Sequence, residues 1–209
     1  MKIKICGLKY ENNIRGVADL APDYMGFIFY RNSSRYAAEE LTPIQTSGMV
    51  ENVIKVGVFV NEEFQMIKQI CLDFQIDTVQ LHGTESPVLC QKLKDFGYSV
   101  IKSFGIYDEF DFEELNAYEK HCDFFLFDIK TSTYGGSGKR FEWDLLKQYQ
   151  LNIPYFLSGG ITLNDLDEIK TIKDKNLFAI DVNSRFEIEA GLKDTSKVKI
   201  LINRIRHEF

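Results

Sequence analysis

The sequence predicts an α/β fold, a single closed barrel of eight parallel strands each followed by a helix. Three observations carry this. Short β-rich runs alternate with helix-like stretches from one end of the chain to the other. Several runs, such as Val56–Val60 and Phe124–Phe127, are apolar on both faces, the pattern of a parallel sheet covered by helices. Spread over eight units, 209 residues give about 26 each, the small end of what a (β/α)8 barrel requires. A doubly wound open sheet shows the same alternation and is the rival, although open sheets of eight parallel strands are less common than closed ones. No linker rich in Pro, Gly or Ser interrupts the rhythm and only 4 prolines occur, so residues 1–209 read as one barrel domain.

The strand runs, in order, are Lys2–Cys6, Tyr24–Phe29, Val53–Val60, Asp77–Leu81, Tyr98–Phe104, Asp123–Asp128, Ile153–Leu157 and Leu177–Val182. After the third, Phe64, Ile67, Ile70 and Cys71 fall at i, i+3, i+6 and i+7; after the seventh, Leu166, Ile169 and Ile172 recur every three. Both are helical spacings. Asn61 and Asp108 stand where N-caps are wanted, and Thr162 with Asp165 approximates a capping box. Val198, Leu201, Ile202 and Ile205 form the apolar stripe of a closing helix.

Composition narrows the function classes. With 44% hydrophobic and 27% charged residues the chain is an ordinary folded domain rather than a disordered one. No apolar run approaches the ~20 residues that span a membrane, and polar Lys4 and Cys6 break up the first ten residues, so neither a membrane nor a secretory signal is expected. A net charge of −6 without a basic cluster makes nucleic acid an unexpected partner. Cys6, Cys71, Cys90 and Cys122 show no CxxC spacing and read as reduced thiols in the cytoplasm. His82, His121 and His207 are scattered, and no metal site is expected.

In a barrel of this kind the chemistry lies where strands end and loops begin. Those points are Cys6-Gly7, Tyr30-Arg31, Asn61-Glu62, His82-Gly83, Gly105, Asp128, Ser158-Gly159-Gly160 and Asp181-Val182-Asn183-Ser184. The ends are polar or glycine while the strand bodies are apolar. Gly159 and Gly160 precede Ile161-Thr162 at a helix start, where backbone N–H groups and the helix N-terminus suit an anion; a plain tight turn is the alternative. Asn183 and Ser184 add donors after the eighth strand, so a phosphorylated substrate is expected. Tyr134–Lys139, with Gly135, Gly136 and Gly138, lacks P-loop spacing and reads as a lid or binding loop leaving from Asp128. Cys6 and Asp128, two titratable groups at one barrel mouth, suit an acid/base pair; a buried core thiol and an N-cap are the bland alternatives.

Taken together, Lys4-Ile5-Cys6-Gly7, Gly57–Asn61, Val79–Gly83, Asp128 with Tyr134–Lys139, Ser158-Gly159-Gly160, and Asp181 with Gly191 and Lys193-Asp194 resemble the phosphoribosylanthranilate isomerase family of tryptophan biosynthesis. The motifs run in order over essentially the whole chain. The resemblance implies a TIM barrel that catalyses an Amadori rearrangement, N-(5-phosphoribosyl)anthranilate becoming 1-(2-carboxyphenylamino)-1-deoxyribulose 5-phosphate, with no metal or organic cofactor. It implies Asp128 as general acid on the furanose oxygen, Cys6 as general base at C2′, and Arg35 as the holder of the anthranilate carboxylate. His82 and Asp181 join Arg35 as substrate-binding residues, and Gly159, Gly160, Asn183, Ser184 and Arg185 form the phosphate site. A monomer is expected, with a homodimer as the alternative.

One departure stands out: Arg185 occupies a position the family usually fills with glycine, where it is strained if φ must be positive and useful if a phosphate lies beside it. Two other readings compete. A metal-dependent phosphosugar epimerase would need several His and Asp ligands at strand ends, where only His82 stands. A non-catalytic phosphosugar-binding barrel would have no reason to keep Cys6, Asp128 and the Gly-rich loop. Strand alternation adds a final expectation. If Cys6 faces the lumen, so does Lys4 one layer deeper, paired with Asp181 or another lumen carboxylate and favouring a Cys6 thiolate. The alternative is that Lys4 snorkels to the bottom rim.

Overall fold

The strand runs are apolar along most of their length, with Lys4, Gln80 and Lys102 among the buried exceptions, so they can be covered on both faces, and in the computed structural model they are. The structure describes residues 1–43, 53–129 and 143–209. Strands β1 (Lys2–Ile5), β2 (Tyr24–Ile28), β3 (Ile54–Phe59), β4 (Thr78–Leu81), β5 (Ser99–Ile106), β6 (Phe124–Ile129), β7 (Tyr155–Ser158) and β8 (Leu177–Val182) are all parallel. They close in sequence order, β1 pairing with β8 in a register that sets Lys4 opposite Asp181. A short antiparallel pair, β9 (Glu187–Glu189) and β10 (Leu192–Lys193), follows the barrel's last strand.

The helical layer is thinner than the sequence spacing suggests. Among the described residues the α-helices are α1 (Glu11–Ala18), α2 (Phe64–Phe74), α3 (Pro87–Asp95), α4 (Leu166–Ile169) and α5 (Thr195–Glu208). The connections Ala37–Glu39, Phe112–Tyr118 and Trp143–Gln148 are 3-10 turns instead. In the second of these, Phe112, Leu115 and Tyr118 recur every three residues and pack on the core, which a 3-10 helix satisfies by eclipsing i and i+3. The residue at the start of α2 is Glu63, not Asn61, whose φ is +50° and whose Oδ1 accepts the Thr84 N–H at 2.7 Å. Asp111, not Asp108, caps the Phe112 turn by accepting the Glu113 N–H at 2.9 Å. The Thr162–Asp165 capping box is present, but it opens a 3-10 turn ahead of the four-residue α4. The apolar stripe of α5 is fully buried, as expected.

Alternation along the strands makes two cores. The outer one lies between sheet and helices. The inner one fills the barrel with Tyr24, Val56, Val58, Ile101, Leu126, Phe156 and Ala179, flanked by Phe124 and Phe178. Its rings meet mostly edge to face, Tyr24 to Phe156 at 5.2 Å and Phe124 to Phe156 at 5.5 Å between centroids. Losing a fully buried ring such as Phe156 to alanine costs about 3–5 kcal/mol. This apolar floor closes the barrel beneath the C-terminal rim.

Candidate active site

A cavity of about 470 Å³ opens at the C-terminal ends of the strands and brings together Cys6, Arg35, His82, Asp128, Asp181, Gly160, Asn183, Ser184 and Arg185. Gly159 stands behind Gly160 and is not part of the lining. Gly135, Gly136 and Gly138 lie outside the described residues. A larger groove of about 930 Å³ runs along the outside between Trp143 and Lys175 and holds none of the expected groups. Among the described residues no cluster of three or more His, Cys, Asp or Glu is arranged to hold a metal ion.

The β1–β8 seam is built around a buried ion pair. Lys4 Nζ lies 3.1 Å from both carboxylate oxygens of Asp181, with Lys4 out of solvent altogether. Alternation and closure thus place Lys4 in the lumen, as anticipated. Burial works against the ammonium, but Asp181 and Cys6 outweigh it and raise the Lys4 pKa. At Asp181 burial pushes the carboxyl above the ordinary carboxylate range and Lys4 offsets part of that rise; Nζ is equidistant from both oxygens, the geometry of an ion pair. Lys4 acts on Cys6 in the expected direction, against an opposing effect of burial. Burial dominates there and pushes the thiol above its ordinary value, while Lys4 only offsets part of the rise. Gly26 gives the thiol room, since a Cβ there would sit 2.7 Å from Cys6 Sγ.

Gly7 has φ +75°, and a Cβ on it would meet Asn183 Oδ1 at 2.5 Å and Arg35 Cδ at 2.8 Å. Glycine therefore lets the loops after β2 and β8 settle over Cys6. Arg35 gives its Nε and Nη2 to Glu187 at 2.6–3.0 Å, which fixes the guanidinium and keeps its charge on. The same carboxylate accepts from Lys193 Nζ at 2.6 Å and from the Gly191 N–H at 3.1 Å. Burial alone would raise Glu187, but these donors hold it below the usual carboxylate range.

Across the mouth, His82 Nε2 stands 3.6 Å from Asp128 Oδ2. Gln80 Nε2 lies 3.0 Å from His82 Nδ1 and 3.2 Å from Ser103 Oγ, so with the amide nitrogen donating, the ring proton is on Nε2 and faces Asp128. Beneath the loop, Glu85 accepts from the N–H groups of Asn61 and Gly83 and pairs with Lys102 at 3.2 Å. That network holds His82-Gly83 in place.

Gly159 and Gly160 both have positive φ, +120° and +66°, and nothing lies within 4 Å of where a Gly160 Cβ would project. The helix-terminus contribution is smaller than expected, because α4 has only four residues and Thr162 already takes the Asn164 N–H. Arg185 sits in the 3-10 turn Ser184–Phe186 with no positive φ, so the strain that replacing a glycine could bring does not arise. It is exposed at the cavity wall.

Sequence reasoning missed Gln80, Ser103, Glu85, Lys102 and the role of Glu187. Glu187 acts through Arg35, 152 residues away, and Gln80, Ser103, Glu85 and Lys102 act through contacts between β4, β5 and the loop after β4; no local pattern announces such pairs.

Comparison with known proteins supplies what the geometry alone does not. A sequence-family profile described as N-(5'phosphoribosyl)anthranilate (PRA) isomerase matches residues 3–204. The N-(5'-phosphoribosyl)anthranilate isomerase of Parabacteroides distasonis is 43% identical over 208 residues, covering 99% of this chain and 94% of that protein. A crystal structure of phosphoribosyl anthranilate isomerase in complex with reduced 1-(o-carboxyphenylamino)-1-deoxyribulose 5-phosphate is similar with a TM-score of 0.82 at 30% identity, over 99% of this chain and 98% of that one. A solved monomeric form of the dimeric enzyme from Thermotoga maritima is similar with a TM-score of 0.81 at 30% identity, over 99% of both chains.

Proposed function

The chain belongs to the N-(5'-phosphoribosyl)anthranilate isomerase family, and on that premise we propose how the groups in its cavity divide the work. The protein is an intramolecular aldose–ketose isomerase of tryptophan biosynthesis, converting N-(5'-phosphoribosyl)anthranilate to 1-(2-carboxyphenylamino)-1-deoxyribulose 5-phosphate.

Asp128 gives a proton to the furanose ring oxygen as the C1′–O4′ bond breaks, leaving an iminium at the anthranilate nitrogen. The Cys6 thiolate takes the C2′ proton, and the electron pair of that C–H bond becomes the C1′=C2′ bond of an enolamine. Loss of the 2′-hydroxyl proton and protonation at C1′ then give the ketone. No electron leaves the substrate and no cofactor is called on. Cys6 must shed its proton before acting, which its burial resists and Lys4 assists. Arg35 takes the anthranilate carboxylate on the guanidinium end that Glu187 leaves open. His82 and Asp181 contact the sugar, and Gly160, Asn183, Ser184 and Arg185, backed by Gly159, receive the phosphate.

The observation that carries this reading is one cavity holding a buried thiol just after β1, a carboxylate from β6 and an arginine oriented by Glu187. The eight strands of one closed barrel carry these groups, so residues 1–209 are read as a single barrel domain; we read it further as a monomer of the cytoplasm that acts without nucleic acid. No helix among the described residues is long and apolar enough to cross a membrane. Sedimentation at working concentration separates the monomer from a homodimer. The test of function is rescue of a tryptophan auxotroph lacking this step, with loss of phosphoribosylanthranilate fluorescence in vitro. Failure of rescue by a soluble, folded protein would overturn the reading of the site.

A further inference from the structure

Behind Arg35 stands a pair of residues the reaction does not touch. Glu187 and Lys193 are absent from the cavity lining among the described residues, yet both side chains are almost wholly buried and 2.6 Å apart. Glu187 occupies the Nε–Nη2 edge of Arg35, which leaves the Nη1–Nη2 end as the face able to fork onto a second carboxylate. A guanidinium held along one edge cannot swing toward Asp181 or Asp128, so its direction is set before any substrate arrives.

Direction alone does not attract an anion. Arg35 and Glu187 by themselves would be a neutral pair, and a second carboxylate approaching it would meet the first. Lys193 changes that balance. Its ammonium touches Glu187 at 2.6 Å and Asn183 Oδ1 at 2.7 Å, and the three-residue cluster keeps one net positive charge. The main chain of Lys193 is fixed separately, its N–H donating to Asn13 Oδ1 at 2.7 Å and its carbonyl accepting from Asn13 Nδ2 at 2.8 Å. The β9–β10 hairpin therefore does not depend on the ammonium, and a lysine buried there has another reason to exist.

We infer that Lys193 and Glu187 together determine selectivity for a substrate bearing a carboxylate on its aromatic amine: Glu187 orients Arg35, and Lys193 cancels the charge of Glu187 so that the charge of Arg35 remains available. Both are positioning residues acting through Arg35, and the inference rests on Arg35 receiving the anthranilate carboxylate. An electrostatic contribution of this kind enters as a difference between a charged and an uncharged ligand, not as overall rate.

The experiment measures kcat/KM for N-(5'-phosphoribosyl)anthranilate and for N-(5'-phosphoribosyl)aniline, which lacks the carboxylate, in wild type, Lys193→Met, Lys193→Met/Glu187→Gln and Arg35→Ala. The ratio of the two values is independent of how much protein is folded. Lys193→Met is expected to lower it about tenfold or more, chiefly through KM of the carboxylate substrate. The double variant returns the cluster to one net positive charge and is expected to recover much of the loss. A purely structural role for Lys193 predicts no recovery. An unchanged ratio in Lys193→Met, or a double variant no better than the single one, overturns the inference. Should Arg35→Ala also leave the ratio unchanged, the carboxylate reading of Arg35 falls instead.

Discussion

On the β1–β8 side of the mouth, Lys4, Asp181, Glu187 and Lys193 hold one another at 2.6–3.1 Å in the protein interior, whereas on the β4–β6 side His82 and Asp128 stand 3.6 Å apart with about a third of each side chain exposed. The first region contains fixed charges that never leave their partners. The second contains groups that can exchange protons with solvent. The difference follows from what each must do. A base generated from a buried thiol and a directed arginine need charges held still, because in the interior an unpaired charge is very costly. A carboxyl group that gives up a proton every turnover must get one back, and partial exposure is how.

The comparison breaks first, and hardest, at Lys4. Lys4→Met leaves Asp181 buried without its cation and should cost about 3–5 kcal/mol, read by urea unfolding. His82→Gln, removing one member of the half-exposed pair, should cost under about 1 kcal/mol. Equal losses would erase the distinction. Lys4 also lowers the Cys6 pKa, so in a folded Lys4→Met protein the thiol must titrate still higher than in wild type. In wild type, iodoacetamide alkylation of Cys6 should quicken as pH rises, with a midpoint above the ordinary thiol value of about 8.5. A midpoint below that would mean burial does not dominate.

Next in size come the two reacting groups. Cys6→Ser and Asp128→Asn should each lower turnover by at least ~10²-fold with substrate binding retained, the usual worth of a positioned base or acid. Near wild-type turnover in either variant removes that residue from the chemistry. Arg35→Ala should raise KM by about tenfold and change kcat less, if its contact is equally strong in ground and transition states; a kcat loss at constant KM contradicts it. The smallest effect belongs to the exposed rim. Arg185→Gly should weaken product binding a few-fold and flatten its salt dependence. No change in either makes Arg185 a bystander.

All eight strands were legible because their signal is local: an apolar run bounded by polar residues. Their ends moved by two residues at most, β5 running on to Ile106 and β8 coinciding with its run. Helices were less legible, because a three-residue recurrence such as Phe112, Leu115 and Tyr118 serves a 3-10 turn as well as an α-helix. At the site, the residues at strand ends converge as expected, and the Lys4–Asp181 pair followed from alternation plus closure. Glu85–Lys102 and Glu187–Arg35 did not. The first joins the loop after β4 to strand β5 and the second the loop after β2 to β9, an approach that depends on how the barrel seats its connections, with Gly7 and Asn61 at positive φ.

The rings that fill the barrel have a consequence for traffic. With Tyr24, Phe124, Phe156 and Phe178 packed below the reacting groups, the barrel is a cup and not a tunnel. Reactant and product use the same opening, and neither can enter while the other occupies it. Product should therefore compete with substrate for free enzyme, and a crowded cell that lets product accumulate slows this step without any dedicated regulator. How fast the next reaction drains the product sets how often the cup is empty.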